Sequence, residues 1–180
     1  MKPLFTIHEG EFLVGDYITR KLAAKYDVWV PVKDSGVDLL VTPRKKNRRP
    51  VKLQVKFSRG FTEKQLPAEE VLAFGWYRLD PAKLRKSRAD LWVFAILTLR
   101  HKAHYIIIPT KELKRRIPRG MTGAWTLYLM VFRRKKCYDL RGVKKAEKRM
   151  TLMDGPKDRK RDYSEYLNKW KLLDEMSRTT

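Results

Sequence analysis

Two short stretches decide how this chain folds: Gly36-Val37-Asp38-Leu39-Leu40-Val41-Thr42 and Val51-Lys52-Leu53-Gln54-Val55-Lys56-Phe57. The second alternates. Val51, Leu53, Val55 and Phe57 point one way and Lys52, Gln54 and Lys56 the other, the period of a strand with one apolar face. The first is almost wholly apolar, as in a strand buried on both faces, and it carries one acid, Asp38, just after the turn chemistry of Lys33-Asp34-Ser35-Gly36. A carboxylate among apolar neighbours is costly unless it is paired or holds a cation. Gln54 and Lys56 lie two apart and so share a face. If the two strands form a hairpin, Asp38, Gln54 and Lys56 converge at one end of it.

Working outward, residues 10–26 predict a helix whose apolar face is Phe12, Leu13, Tyr17, Ile18, Leu22 and Ala23. Residues 28–32 predict a first strand. The connection over 43–50 carries Arg44, Lys45, Lys46, Arg48 and Arg49. It is expected to project beside a bound nucleic acid. Beyond Gly60 the pattern weakens, and Phe74-Gly75-Trp76-Tyr77 fits a loop, a short strand or part of a helix. Residues 91–99 and 105–109 read as a strand pair turning at His101-Lys102-Ala103, with His101 and His104 expected at the surface. Thr110 is placed to cap a short helix that Pro118 and Gly120 stop. Residues 125–132 read as another strand. The chain then turns basic, beginning with Arg133, Arg134, Lys135 and Lys136. Over 163–175 a stripe of Tyr163, Tyr166, Leu167, Trp170 and Leu173 predicts a C-terminal helix docked on the body.

The pattern is α/β: a helix, three strands, further strands and a last helix, in one domain with a core over 7–132 and a basic segment over 133–162. The 180 residues carry 42 Lys and Arg against 20 Asp and Glu, a net charge of +22, yet include 20 aromatic residues. That aromatic content supplies a core and excludes a wholly disordered basic tail. The net charge repels itself, and a polyanion is the usual partner that offsets it. Nucleic acid is therefore the expected partner. A lone cysteine, Cys137, excludes an internal disulfide, and three histidines leave little for a histidine-led metal cluster. With no membrane-length apolar stretch and no signal-peptide pattern, the expectation is a soluble, cytoplasmic protein with no membrane partner.

Glu11-Phe12-Leu13-Val14 on the helix, Gly36-Val37-Asp38-Leu39-Leu40 on one strand and Leu53-Gln54-Val55-Lys56 on the next resemble, in that order, the PD-(D/E)XK nuclease superfamily. That superfamily holds restriction enzymes, Holliday-junction resolvases and intron-encoded homing endonucleases. The resemblance covers residues 7–57. It implies a restriction-endonuclease-like core: a central mixed sheet flanked by helices in the order α-β-β-β-α-β. It also implies a metal-dependent endonuclease that hydrolyses DNA, with catalytic Glu11, Asp38, Gln54 and Lys56. Mg²⁺, for which Mn²⁺ would substitute, would be held by Asp38, Gln54, the carbonyl of Val55 and Glu11. The family's usual second acid is Gln54 here. An amide oxygen can ligate Mg²⁺ without adding charge, which favours one tightly held metal over two. Arg44 to Arg49 and Arg133 to Lys136 would grip the backbone, and a homodimer would bring two sites to two strands. Glu9 and Asp16 compete with Glu11 for the helix position. The alternatives are a catalytically silent nucleic-acid-binding protein on the same fold and an RNA-processing factor.

Overall fold

The computed structural model describes residues 8–32, 36–60, 71–98, 101–144, 147, 151 and 154–178. Helix α1 (Glu9–Lys21) leads into an antiparallel meander of β1 (Tyr26–Trp29), β2 (Leu39–Pro43) and β3 (Val51–Arg59). The chain passes through β4 (Val71–Leu79) and the single-turn α2 (Pro81–Arg85), then returns as β5 (Leu91–Leu97) parallel to β3. β6 (Ala103–Pro109) pairs antiparallel with β5 and completes a mixed sheet ordered β1-β2-β3-β5-β6. After α3 (Thr110–Arg115), strands β7 (Trp125–Phe132) and β8 (Lys136–Asp139) join β4 in a second sheet, ordered β4-β7-β8. Two 3₁₀ turns (Arg159–Arg161 and Ser164–Tyr166) and α4 (Leu172–Ser177) end the described chain.

The fold is therefore mixed α/β, but among the described residues helices do not flank the sheet on both sides. α1 lies against one face of β3. The face of β5 that carries Phe94 and Ile96 meets β4 instead, where the Tyr77 ring packs edge-on against Phe94 at 4.9 Å and its hydroxyl donates to the Ala95 carbonyl. One apolar core runs through both layers, with Val14, Ile18, Val41, Leu53, Val93, Ile107 and Leu129 wholly buried. Each such aliphatic side chain contributes about 1.5–3 kcal/mol on burial.

α1 ends at Lys21, earlier than its sequence pattern suggests, because residues 22–25 turn into β1. It buries Gly10, Val14 and Ile18, a stripe at four-residue spacing, and leaves Phe12 59% exposed. Gly10 sets that stripe. A Cβ there would stand 2.5 Å from the Cβ of Phe57 on β3, closer than side chains pack, so only glycine lets the helix sit this near the strand. Gly10→Ala is expected to push α1 off β3 and cost about 1–3 kcal/mol in stability. A urea titration reads this directly, and a midpoint unchanged from the parent would show that the contact yields freely.

The C-terminal stripe docks as expected, but not as one helix. Tyr163, Tyr166, Trp170 and Leu173 are buried, yet the chain breaks at Asn168, whose φ is +52°. Asn168 takes that bend to cover the edge of β6. Its N–H donates to the Tyr105 carbonyl at 2.6 Å, and its Oδ1 accepts from the Tyr105 N–H at 3.0 Å. Trp170 then stacks on Tyr17 of α1 at 4.6 Å. Two smaller expectations also change. Thr110 does not cap α3; its hydroxyl donates to the Ala89 carbonyl at 2.6 Å, tying α3 to the start of β5. His104 is not at the surface but buried opposite Ile96, and burial lowers its pKa. Among the described residues no helix is long and apolar enough to cross a membrane.

Candidate active site

Strands β2 and β3 pair through Leu39–Leu53, Leu40–Lys52 and Val41–Val51, and then part. At the parting point the Asp38 N–H still donates to the Leu53 carbonyl at 2.8 Å. The Asp38 side chain takes over where the next ladder bond would be: its Oδ2 accepts the Val55 N–H at 2.6 Å and the Gln54 amide N–H. Gly36, at φ +72°, supplies the left-handed bend that delivers the chain into β2 at this register. The N–H and C=O of one strand residue leave on the same side, so the Val55 carbonyl also faces the Asp38 edge. Asp38, Gln54 and Val55 therefore meet where sequence spacing placed them.

Lys56 lies on the Gln54 face of β3, with its Nζ 5.9 Å from the Trp92 ring centroid on β5. Glu11 reaches the same neighbourhood from α1. Its Oε2 accepts the His8 N–H at 3.2 Å, half of a helix-capping box. Its pKa is raised, first by partial burial and then by the charge of Asp38, against the lowering pull of the His8 N–H and of Lys56. Glu9 and Asp16, the competing acids, are engaged elsewhere: Glu9 pairs with Arg59 at 2.9 Å and Asp16 with Arg20 at 2.6 Å.

Because the Glu11 pKa is raised, the folded state binds its proton more tightly than the unfolded chain, so the stabilisation is present at low pH and is lost as pH rises through the raised value. Ionising this carboxyl is a net cost to the folded state. Glu11→Gln keeps the capping oxygen and removes the charge. It is expected to raise the Tm of the metal-free protein slightly at pH 7 and to flatten the stability–pH slope above the usual carboxyl value of 4.5. A thermal scan across pH that shows a lower Tm and an unchanged slope would place this carboxyl in solvent.

The donors at this corner suit Mg²⁺. A carboxylate, an amide oxygen and a peptide carbonyl are all hard oxygen ligands, with a second carboxylate from Glu11 close enough to sense the first. The amide of Gln54 donates its N–H to Asp38 and directs its Oε1 toward Gly36, 3.9 Å from where a Cβ on that glycine would lie. Turning this amide over would offer Oε1 to a cation shared with Asp38. The set is lean in charge: among the described residues no three His, Cys, Asp or Glu side chains cluster as a metal site.

The basic loop joins β2 to β3, as the sequence pattern expects. It joins the far end of the hairpin, beyond Val41 and Val51, whereas Asp38, Gln54 and Lys56 occupy the open end. Three of its five cations also hold the fold together. Arg44 clamps Asp27 with contacts of 2.7–3.2 Å and lowers the Asp27 pKa. Arg48 pairs with Asp174 at 3.7 Å, and Arg49 pairs with Asp90 at 3.0 Å. Lys45 and Lys46 are exposed. Arg133, Arg134, Lys135 and Lys136 form the exposed tip of the β7–β8 hairpin, with Lys135 at φ +55° in the turn. On β4, Tyr77 is core and Trp76 is exposed.

Sequence reasoning missed one feature beside this site. Trp29 of β1 is 59% exposed and pairs in register with Leu40. A large apolar residue closing a short edge strand was its only signal. No family model matches the chain, and no curated protein or solved structure matches it either.

Proposed function

We propose that this chain is a metal-dependent nuclease that hydrolyses DNA phosphodiester bonds at the corner built by Asp38, Gln54, Val55, Lys56 and Glu11. One observation carries the reading: the Asp38 carboxylate replaces the next ladder bond between β2 and β3, at the point where Gln54 and Val55 can face it and Lys56 follows on the same strand. The element order supports it too. A helix, an antiparallel three-stranded meander and a return strand parallel to the third follow the order the resemblance implies, although β4 and the single-turn α2 stand where a crossover helix was expected.

Asp38, the Val55 carbonyl, the Gln54 amide oxygen and Glu11 would hold Mg²⁺. When bound, the ion supplies Lewis-acid polarisation of the phosphate and a water of lowered pKa. Lys56 sets a positive charge where negative charge develops on the phosphate oxygens. Glu11 accepts a hydrogen bond from the attacking water. That water adds to phosphorus and one ester P–O bond breaks, leaving a phosphate monoester and an alcohol. The exposed Arg133 to Lys136 tip, Lys45 and Lys46 add sequence-independent attraction to the phosphate backbone.

The lean charge of the site favours one second reading, a catalytically silent DNA-binding protein on the same scaffold. The test is to incubate the chain with duplex, branched and single-stranded DNA and with RNA, in Mg²⁺, in Mn²⁺ and in EDTA. Cleavage of DNA in either metal and none in EDTA is expected. Binding without cleavage in every condition would establish the silent reading, and cleavage of RNA alone would move the substrate.

A further inference from the structure

The sheet face that carries Gln54 and Lys56 continues away from the candidate site as a shallow groove. Its floor is Pro31, Val37 and Leu40, and Lys52 and Arg88 flank it. The register puts Trp29 over the same surface. Trp29 is the cross-strand partner of Leu40, and Leu40 of Lys52, so the three side chains share a face. Lys52, Gln54 and Lys56 alternate along that face of β3, so Lys52 stands ~7 Å from Gln54 and ~13 Å from Lys56. The exposed indole of Trp29 thus shares a sheet face with this groove and its two flanking cations, and the same face carries Gln54 and Lys56 beyond Lys52.

Each part has a matching part in a nucleotide. An apolar floor and an exposed indole suit the flat face of a base, and Lys52 and Arg88 suit the phosphates on either side of it. A folded apolar partner would leave those two cations without use, and the net charge of +22 favours a polyanion. A base inside a duplex is stacked on both faces and offers neither to Trp29. We propose that this groove takes an unpaired DNA base next to the scissile phosphate, stacked on Trp29, so that the substrate carries a single-stranded stretch at the site of cleavage. The proposal rests on the nuclease reading for its orientation, but the groove can be tested without catalysis.

The test measures binding in EDTA by fluorescence anisotropy. It compares a blunt duplex with the same duplex bearing a single-stranded overhang, on the parent, Trp29→Ala and Trp29→Phe. The parent is expected to prefer the overhang. Trp29→Ala should lose about tenfold on the overhang and under about twofold on the blunt duplex, the value of one stacked base. Trp29→Phe should keep most of the preference. Equal weakening on both DNAs, or no weakening on either, overturns the proposal. So does a parent dimer that Trp29→Ala dissociates in sedimentation, since a second copy would then cover the groove. The two readings also fail separately. A parent that cleaves with no effect of Trp29 removes the groove alone, and a Trp29 effect without cleavage removes the nuclease alone.

Discussion

Lys56→Ala is expected to slow DNA cleavage by about 10²- to 10³-fold while leaving DNA affinity nearly unchanged. The Lys56 ammonium is held on the Gln54 face of β3 beside the Trp92 ring. In the proposed reaction it would act from there on charge that is small in the bound substrate and large in the transition state. A group of that kind contributes to rate rather than to binding, since only interactions that strengthen on the way to the transition state accelerate the chemistry. Affinity should hardly move, because the chain has 42 Lys and Arg residues and Lys56 is one of them. Single-turnover cleavage alongside anisotropy separates the two effects. A variant that cuts like the parent would place the catalytic cation elsewhere, and one that loses affinity and rate in equal proportion would make Lys56 an ordinary phosphate contact.

Asp38→Ala is expected to abolish cleavage altogether by a different route. Asp38 closes the gap between β2 and β3 and, with Glu11, would supply the charge of the ligand set, because Gln54 contributes only an amide. Its loss should remove metal binding and leave DNA affinity equal to or above the parent, since a carboxylate near phosphate has gone. It also strips a partner from the Val55 N–H, at a cost of about 1–3 kcal/mol in stability. Asp38→Asn keeps an acceptor for that N–H and is the fold-preserving control. If Asp38→Asn melts like the parent and still cuts at the parent rate, Asp38 is only a structural stand-in for a ladder bond.

The first third of the chain was legible because its physics is local. Alternation along residues 51–57, the apolar run at 37–42 and the glycine turn just before Asp38 each follow from neighbours a few residues away. β4 was not legible: Ala73, Gly75, Tyr77 and Leu79 face the first sheet, while Phe74 is buried on the other side in a second small core with Met130 and Tyr138. With apolar residues on both faces no period survives. The role of the basic loop was hidden for another reason. Arg44, Arg48 and Arg49 find Asp27, Asp174 and Asp90, partners far away in sequence whose meeting depends on the finished fold. The convergence of Asp38 with Gln54 needed only the hairpin.

The central claim is that one divalent ion bound at the Asp38 corner makes this protein an enzyme. Calorimetric titration of Mn²⁺ into the parent and into Asp38→Asn, paired with cleavage of one labelled DNA by both, tests it most directly. The account predicts one Mn²⁺ per parent chain, cleavage that rises with its occupancy, and loss of both in the folded variant. Parent-like Mn²⁺ binding and cleavage in Asp38→Asn would contradict it.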